Sequence, residues 1–355
     1  LKCLTNMERI HMPSDLVIQL FKLYESKGQS FYYKQLFQRD DEVMARNTLE
    51  TDINSIAYYL DLNLTSARIK LLSDAKKEYV TKNKEETLLY NIKEALALIQ
   101  SIGDTFEMTS NEVKDLSITL FRNYKDIRLK TNPRAKIPKL AKDFEDFSTD
   151  EQLQRLIKEF NSVKKTGKYE VIQLITNFYI DFIKLDLFTE KNDVLALILV
   201  YTMLSKEFKV CRYESFFEKL LPKKAQFETA FIQASFNWIE GFSQTEALSR
   251  VFISVMHEMH EDVKIKAHEY EFERKMNKAD SIENTILKGP HVFSKSEIRD
   301  QHPYASDATI NRTLISMKER GVIRPLGNGR SAKWQRLASK QEKFTPTQLN
   351  IFNEE

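Results

Sequence analysis

The sequence predicts a mostly α protein, with a large helical core followed by a small α+β domain. Three observations carry that expectation. Eight glycines and eight prolines in 355 residues are few, which favours helices over a loop-rich or all-β fold. Apolar residues recur at helical spacing through most of the chain. Residues 280–337 then change character, with short helical patterns giving way to an alternating segment. The length suggests two or three domains. A hydrophobic fraction of 42% supplies a core, and 30% charged residues keep it soluble. A net charge of +3 gives no global argument for nucleic acid, so any such argument must come from local clustering. Cys3 and Cys211 are far apart and make no disulfide framework, so a reducing, cytoplasmic home is expected. No signal peptide is evident, and a first residue of Leu1 suggests a natural start upstream. The longest apolar run, 194–204, is about half of what spans a bilayer, so no membrane partner is expected.

Taken in order, residues 1–39 read as an N-terminal extension holding one amphipathic helix, 15–23, behind Pro13 and Ser14. A helical domain is expected over 40–262. Ile53, Ile56, Ala57 and Leu60 form its first stripe, and Thr65 reads as the cap of a helix over 66–78. In 85–102, Leu88, Leu89, Ile92, Ala95, Leu96 and Ile99 share one face. Thr109 opens a helix running to about residue 124. Residues 128–147 are irregular and basic, with Arg128, Lys130, Arg134, Lys136, Lys139 and Lys142, a run that reads mainly as a solvated loop. Helices over 150–163, 169–185 and 223–237 follow, and Trp238 to Gly241 breaks the chain. A long helix from Ser243 turns highly charged, so 263–279 reads as a linking helix between domains. The residues from 338 to 355 read as a disordered tail.

The core helices meet at a polar elbow. An apolar run ends at Phe188, Thr189-Glu190-Lys191-Asn192-Asp193 breaks it, and the most hydrophobic segment of the chain follows. Asn and Asp compete with helical hydrogen bonding, so two buried helices joined by a tight turn are expected, with Asp193 capping the second. The free N–H groups at that helix start attract anions, which makes the elbow a candidate site as well as an ordinary turn.

Residues 280–337 read as three short helices (282–287, 294–299, 307–320) and a hairpin around Leu326-Gly327-Asn328-Gly329, the plan of a winged helix-turn-helix. The third helix buries Ile310, Leu314 and Met317, which leaves Asn311, Arg312 and Ser316 to read bases. Arg324, Arg330, Lys333 and Arg336 flank the hairpin. From 281 to 337 ten Lys/Arg face five Asp/Glu, an excess of +5 that suits phosphate contact. The candidate DNA-binding residues are therefore Asn311, Arg312, Ser316, Arg324, Arg330 and Lys333. The same domain could instead serve protein contact or dimerisation.

Residues 40–262 resemble the Fic (Fido) family. The pieces that carry the resemblance are Asn91-Ile92-Lys93-Glu94-Ala95-Leu96, the apolar helix 195–204, the turn 210–217, and Ser235-Phe236-Asn237-Trp238-Ile239-Glu240-Gly241. The family's motif, H-P-F-x-[DE]-G-N-G-R, falls on residues 186–194. Phe188, Glu190 and Asn192 match it. Asp186 stands at the catalytic histidine, Lys191 and Asp193 replace both glycines, Val194 replaces the arginine, and Leu197 stands where a further arginine is usual.

The resemblance implies a protein hydroxyl attacking the α-phosphate of ATP, with the histidine as base. Such a base should titrate near neutrality. The glycines would let backbone N–H groups approach phosphates, and the arginine would neutralise developing charge. The motif is therefore degenerate, and no catalytic residues are expected. The family's self-inhibiting glutamate is also absent downstream of Ser55. If the site were active, Glu190, Lys191 and Asn192 would bind the nucleotide and Glu190 would hold magnesium. ATP and magnesium belong to that alternative alone; otherwise no cofactor is expected. The winged helix fits a domain arrangement common in the family.

Two further patterns are read structurally. Gly327-Asn328-Gly329-Arg330 repeats the motif's letters, but Arg324-Pro325-Leu326 precedes it and a strand-like segment with Trp334 follows, which makes it a wing turn. His257-Glu258-Met259-His260 has a spacing of three instead of the four that puts two histidines on one metal. The leading expectation is a Fic-like DNA-binding regulator, with DNA as its partner and a core used for homodimerisation or ligand sensing. The rivals are an AMP transferase using Asp186 and Glu190, and a protein-interaction scaffold.

Overall fold

The computed structural model describes residues 12–74, 79–102, 106–131, 147–275, 278–303, 305–327 and 333–337. The chain divides into two units, Leu1–Ala267 and His268–Glu355.

The first unit is helical. Its opening elements are α1 (Ser14–Gly28), α2 (Ser30–Phe37), α3 (Asp41–Tyr59), α4 (Ser66–Asp74), α5 (Lys84–Ile102) and α6 (Ser110–Phe121). After α7 (Thr149–Thr166) come α8 (Val171–Leu185), α9 (Asn192–Glu207), α10 (Phe216–Leu220), α11 (Lys224–Ser235) and α12 (Glu246–Lys275). The division between units falls inside α12. The residues read as an extension fold into this unit through α1 and α2. On α1, the Tyr24 hydroxyl donates to Glu170 Oε1 at 2.7 Å, and Asp15 pairs with Arg250. Helix α2 escaped the sequence reading because its eight residues are two turns of mixed polarity.

The elements begin and end where side chains satisfy free backbone groups. Thr109 caps α6 by accepting from Glu112 N–H. Ser148 and Glu151 form a capping box on α7, which Gly167 closes at φ +62°. Glu170 accepts from the N–H groups of Ile172 and Gln173 and so starts α8. Helices α8 and α9 pack against each other at the centre, with α7 on α8 and α5 and α6 on α9. Every residue from 194 to 204 is buried, as are Phe178 and Phe182 on α8. Each such aliphatic or aromatic side chain contributes roughly 1.5–3 kcal/mol, so this helix pair anchors the unit. Two polar contacts fix its surroundings. Asn91 on α5 donates to the Leu120 and Arg122 carbonyls at the end of α6, and Trp238 Nε1 donates to Asp181 on α8 at 2.7 Å.

The second unit comprises α13 (Lys278–Lys288), β1 (Val292–Ser294), α14 (Lys295–Gln301), α15 (Asp307–Glu319), β2 (Ile323–Pro325) and β3 (Lys333–Arg336). The strands form an antiparallel sheet in the order β1-β3-β2, with Phe293 opposite Trp334 and Arg324 opposite Gln335. Ile282, Ile286, Phe293, Ile298, Ile310, Leu314, Met317 and Ile323 make its core, with Val322 and Trp334 against it. The hairpin reading captured β2 and β3 but not β1. Three residues are too few to show alternation, and β1 is recognisable only by its pairing with β3. The architecture is thus a mostly α core with a small α+β unit after it. The expected tail lies outside the described residues, as do Arg134, Lys136, Lys139 and Lys142 of the basic run.

Candidate functional site

The elbow between α8 and α9 is held by its own side chains. Helix α8 ends on Asp186 in the left-handed region, φ +48°, where its N–H donates to the Ile183 carbonyl at 3.1 Å. The chain then runs extended through Leu187, Phe188 and Thr189. There it pairs antiparallel with 128–130: Lys130 N–H donates to the Leu187 carbonyl and Thr189 N–H to the Arg128 carbonyl, each at 2.9 Å. Lys191 is again left-handed, φ +55°, and α9 starts at Asn192. Asp193 was expected to cap α9 but lies inside its first turn. Lys191 occupies the cap position and makes no capping hydrogen bond with its side chain.

Asn192 organises the loop. Its Oδ1 accepts from Phe188 N–H at 3.0 Å, and its Nδ2 donates to the Phe188 carbonyl and to Asp186 Oδ1, both at 2.9 Å. The other Asp186 oxygen accepts from the Lys130 ammonium. Glu190 is engaged as well, because the Lys125 ammonium donates to both of its oxygens, at 2.6 and 2.5 Å. Phe188 is fully buried and stacks on Phe182 with ring centroids 6.1 Å apart. The structure thus brings Asp186, Phe188 and Asn192 into one bonded cluster and sends Glu190 to the surface beside Lys125. The partners Lys125 and Lys130 were not singled out as a pair from sequence. They lie more than fifty positions from the residues they bind, and no local pattern announces such pairs.

Lys191 stands in a conformation that costs an L-residue about 1–2 kcal/mol and glycine almost nothing. The turn thus places a lysine in a backbone conformation that suits glycine.

In the second unit, Asn311 and Arg312 are exposed on α15, while Ile310, Leu314 and Met317 on the same helix are buried. Ser316 is half-buried, and its carbonyl accepts from Arg320 N–H. On the sheet, Lys333 is exposed, and so is Arg324, whose Nε donates to Gln335 Oε1 at 2.8 Å. Arg336 instead turns back to the Leu287 carbonyl. Arg330 lies outside the described residues.

The histidine pair on α12 is part of the packing. His257 Nε2–H donates to the Gln19 carbonyl at 2.7 Å, and His260 Nδ1–H donates to the Met256 carbonyl at 2.9 Å. Burial lowers the His260 pKa, favouring the neutral ring. No group of three or more His, Cys, Asp or Glu that could hold a metal occurs among the described residues. Among them, too, no helix is long and apolar enough to cross a membrane.

No protein-family model matches the chain, and no curated protein matches it. Solved structures do. A Fic family protein from Desulfovibrio desulfuricans G20 superposes with a TM-score of 0.55 at 10% identity, over 93% of this chain and 98% of that one. A Fic domain containing signaling protein from Bacteroides thetaiotaomicron VPI-5482 aligns at 18% identity and a TM-score of 0.48, over 69% of this chain and 98% of that one. The first likeness defines the class by fold: this chain has a Fic-like helical core, with a small α+β unit behind it.

Proposed function

We propose that this chain is a Fic-fold protein without AMP-transferase activity that acts as a DNA-binding regulator through its second unit, used as a winged helix. The observation that carries the reading is the division of labour on α15. One face buries Ile310, Leu314 and Met317, and the helix presents Asn311 and Arg312 to solvent. A recognition helix needs a packed back and polar side chains free to reach base edges. The order helix, strand, helix, helix, strand, strand supports the winged plan, with Arg324 and Lys333 on the strands flanking the wing. Their ammonium and guanidinium groups suit phosphates, and the unit's local excess of +5 supplies the attraction.

The elbow supports the other half of the proposal. Both Asp186 oxygens are tied to groups of the same chain, the Lys130 ammonium and the Asn192 amide. Glu190 is bound by Lys125, Asp193 puts an exposed carboxylate at the start of α9, and no arginine stands between 186 and 197. These residues do not fit a magnesium nucleotide.

Filter binding or gel shift with genomic fragments tests the reading. Binding at low salt is expected, weakened by Arg312→Ala, Arg324→Ala and Lys333→Ala. Absence of binding at low salt, or binding indifferent to all three substitutions, overturns it. Incubation with labelled ATP and magnesium tests the rival. Self-labelling abolished by Asp186→Ala would establish an enzyme instead.

A further inference from the structure

A cavity of about 540 Å³ opens at the first turn of α9, between that turn, the end of α3, α8 and α11. Four aromatic rings line it: Tyr59, Tyr179, Phe227 and Phe231. They contact one another edge-on, with centroids 6.3 Å apart for Tyr59 and Phe227, 5.6 Å for Tyr179 and Phe227, and 5.9 Å for Tyr179 and Phe231. Tyr59 and Tyr179 are 8% and 5% exposed, and no described residue hydrogen-bonds either hydroxyl. Neither hydroxyl oxygen is fully enclosed, so a ligand or solvent in the cavity can reach both.

Charge decides what that ligand is. Asp61, Asp193 and Glu228 line the cavity with Lys191 and Lys224. Lys224 is engaged: its ammonium pairs with Asp61 and lies 5.7 Å from the Tyr59 ring centroid. The wall therefore already holds one ammonium against an aromatic face. Asp193 and Glu228 have no ion-pair partner among the described residues, and only Lys191 opposes them. After burial, Glu228 and Asp193 are the next causes that push the Tyr59 hydroxyl above its ordinary pKa. The positive end of α9 does not reverse this balance, because Asp193 answers it from within the first turn.

We propose that this cavity binds a small organic cation: an aliphatic amine, guanidinium or quaternary ammonium compound. The rings enclose its apolar part, as aromatic cages do, while Asp193 and Glu228 balance its charge. The volume lies within the range of small-molecule sites. The inference does not rest on DNA binding, since every residue it uses belongs to the first unit.

Isothermal titration of the full chain with tetramethylammonium, 1,4-diaminobutane and agmatine tests it, with inorganic phosphate and ATP as the anionic counterparts. At least one cation is expected to bind with a submillimolar Kd. Glu228→Gln and Asp193→Asn should each weaken it about tenfold, the loss of one close charge contact, and Lys191→Ala should tighten it. Glu228 is exposed on α11, so its substitution leaves the fold intact. No cation binding at millimolar concentration, binding indifferent to both carboxylate substitutions, or displacement of the cation by phosphate or ATP would each overturn the proposal. Gel-shift affinity measured on the same variants keeps this outcome separate from that of the DNA reading.

Discussion

Replacing Asp52 with asparagine should remove a pH dependence from the stability of the first unit. Asp52 lies on α3 with none of its surface exposed. Its Oδ1 accepts from the Ser215 hydroxyl at 2.6 Å and from Phe217 N–H at 3.1 Å, which ties α3 to the start of α10. Its Oδ2 has no partner among the described residues. Burial outweighs the two hydrogen bonds that favour the anion, and it pushes the carboxyl from the usual 3.8 up to about 7. In the unfolded chain the group ionises near its usual value, so between the two values folding takes up a proton. The contribution to stability is therefore fully present below about pH 4, falls as pH rises toward about 7, and is flat above it. A shift of about three pH units corresponds to a ceiling of about 4 kcal/mol, of which about 2 kcal/mol falls between pH 5 and 7. Asparagine keeps an acceptor for Ser215 and Phe217 but does not titrate. Its amide has a constant cost that moves the whole curve without changing its slope. Urea unfolding of wild type and Asp52→Asn at pH 5, 6, 7 and 8 should show the variant gaining on the wild type up to about pH 7 and running parallel beyond. Curves parallel over the whole range would refute the argument.

Asn192→Ala should lower unfolding free energy by about 1–3 kcal/mol, because it leaves the buried Phe188 N–H and carbonyl without their partner; an unchanged urea midpoint would contradict that role. Lys191→Gly should raise stability by about 1 kcal/mol, since glycine adopts φ +55° without the strain of a side chain, and the melting temperature reads the gain. Lys125→Ala should change stability by less than about 0.5 kcal/mol, because its pair with Glu190 is about half exposed at both ends. In DNA binding, Arg324→Ala and Lys333→Ala should each reduce the slope of log K against log salt by about one.

The fold was legible wherever one face of a helix carried the pattern. Leu88, Leu89, Ile92, Ala95, Leu96 and Ile99 are all buried on α5, as their spacing requires. Caps with a side-chain signature were equally readable, as at Thr109. What failed lacked a local signal. Strand β1 exists because β3 pairs with it, and α2 is held by the packing of Tyr33, Leu36 and Phe37. The start of α9 was misplaced for a related reason. Asp193 is a good cap by type, but Asn192 is drawn to Phe188 and Asp186, and those contacts set where the helix begins.

The site was legible in outline and not in its chemistry. The resemblance read from the residues set Asp186, Lys191, Asp193 and Val194 against the motif's working positions. It left open whether the substituted loop would open toward a ligand or close on itself. In the structure, groups remote in sequence hold the loop's side chains. Lys130 and Asn192 take up Asp186, Lys125 takes up Glu190, and the pairing of 128–130 with Leu187 and Thr189 pins the strand between them. The loop takes a left-handed turn at Lys191, and the Asp186 and Glu190 carboxylates bind lysines of the same chain. Asp193 is the exception. It lines the aromatic cavity with Tyr59 and Tyr179, so it places a negative charge both there and in the first turn of α9. Asp193→Gly therefore separates the two roles. If the carboxylate serves a cation, this change should weaken amine binding about tenfold without restoring ATP binding, because Val194 and Leu197 still supply no positive charge.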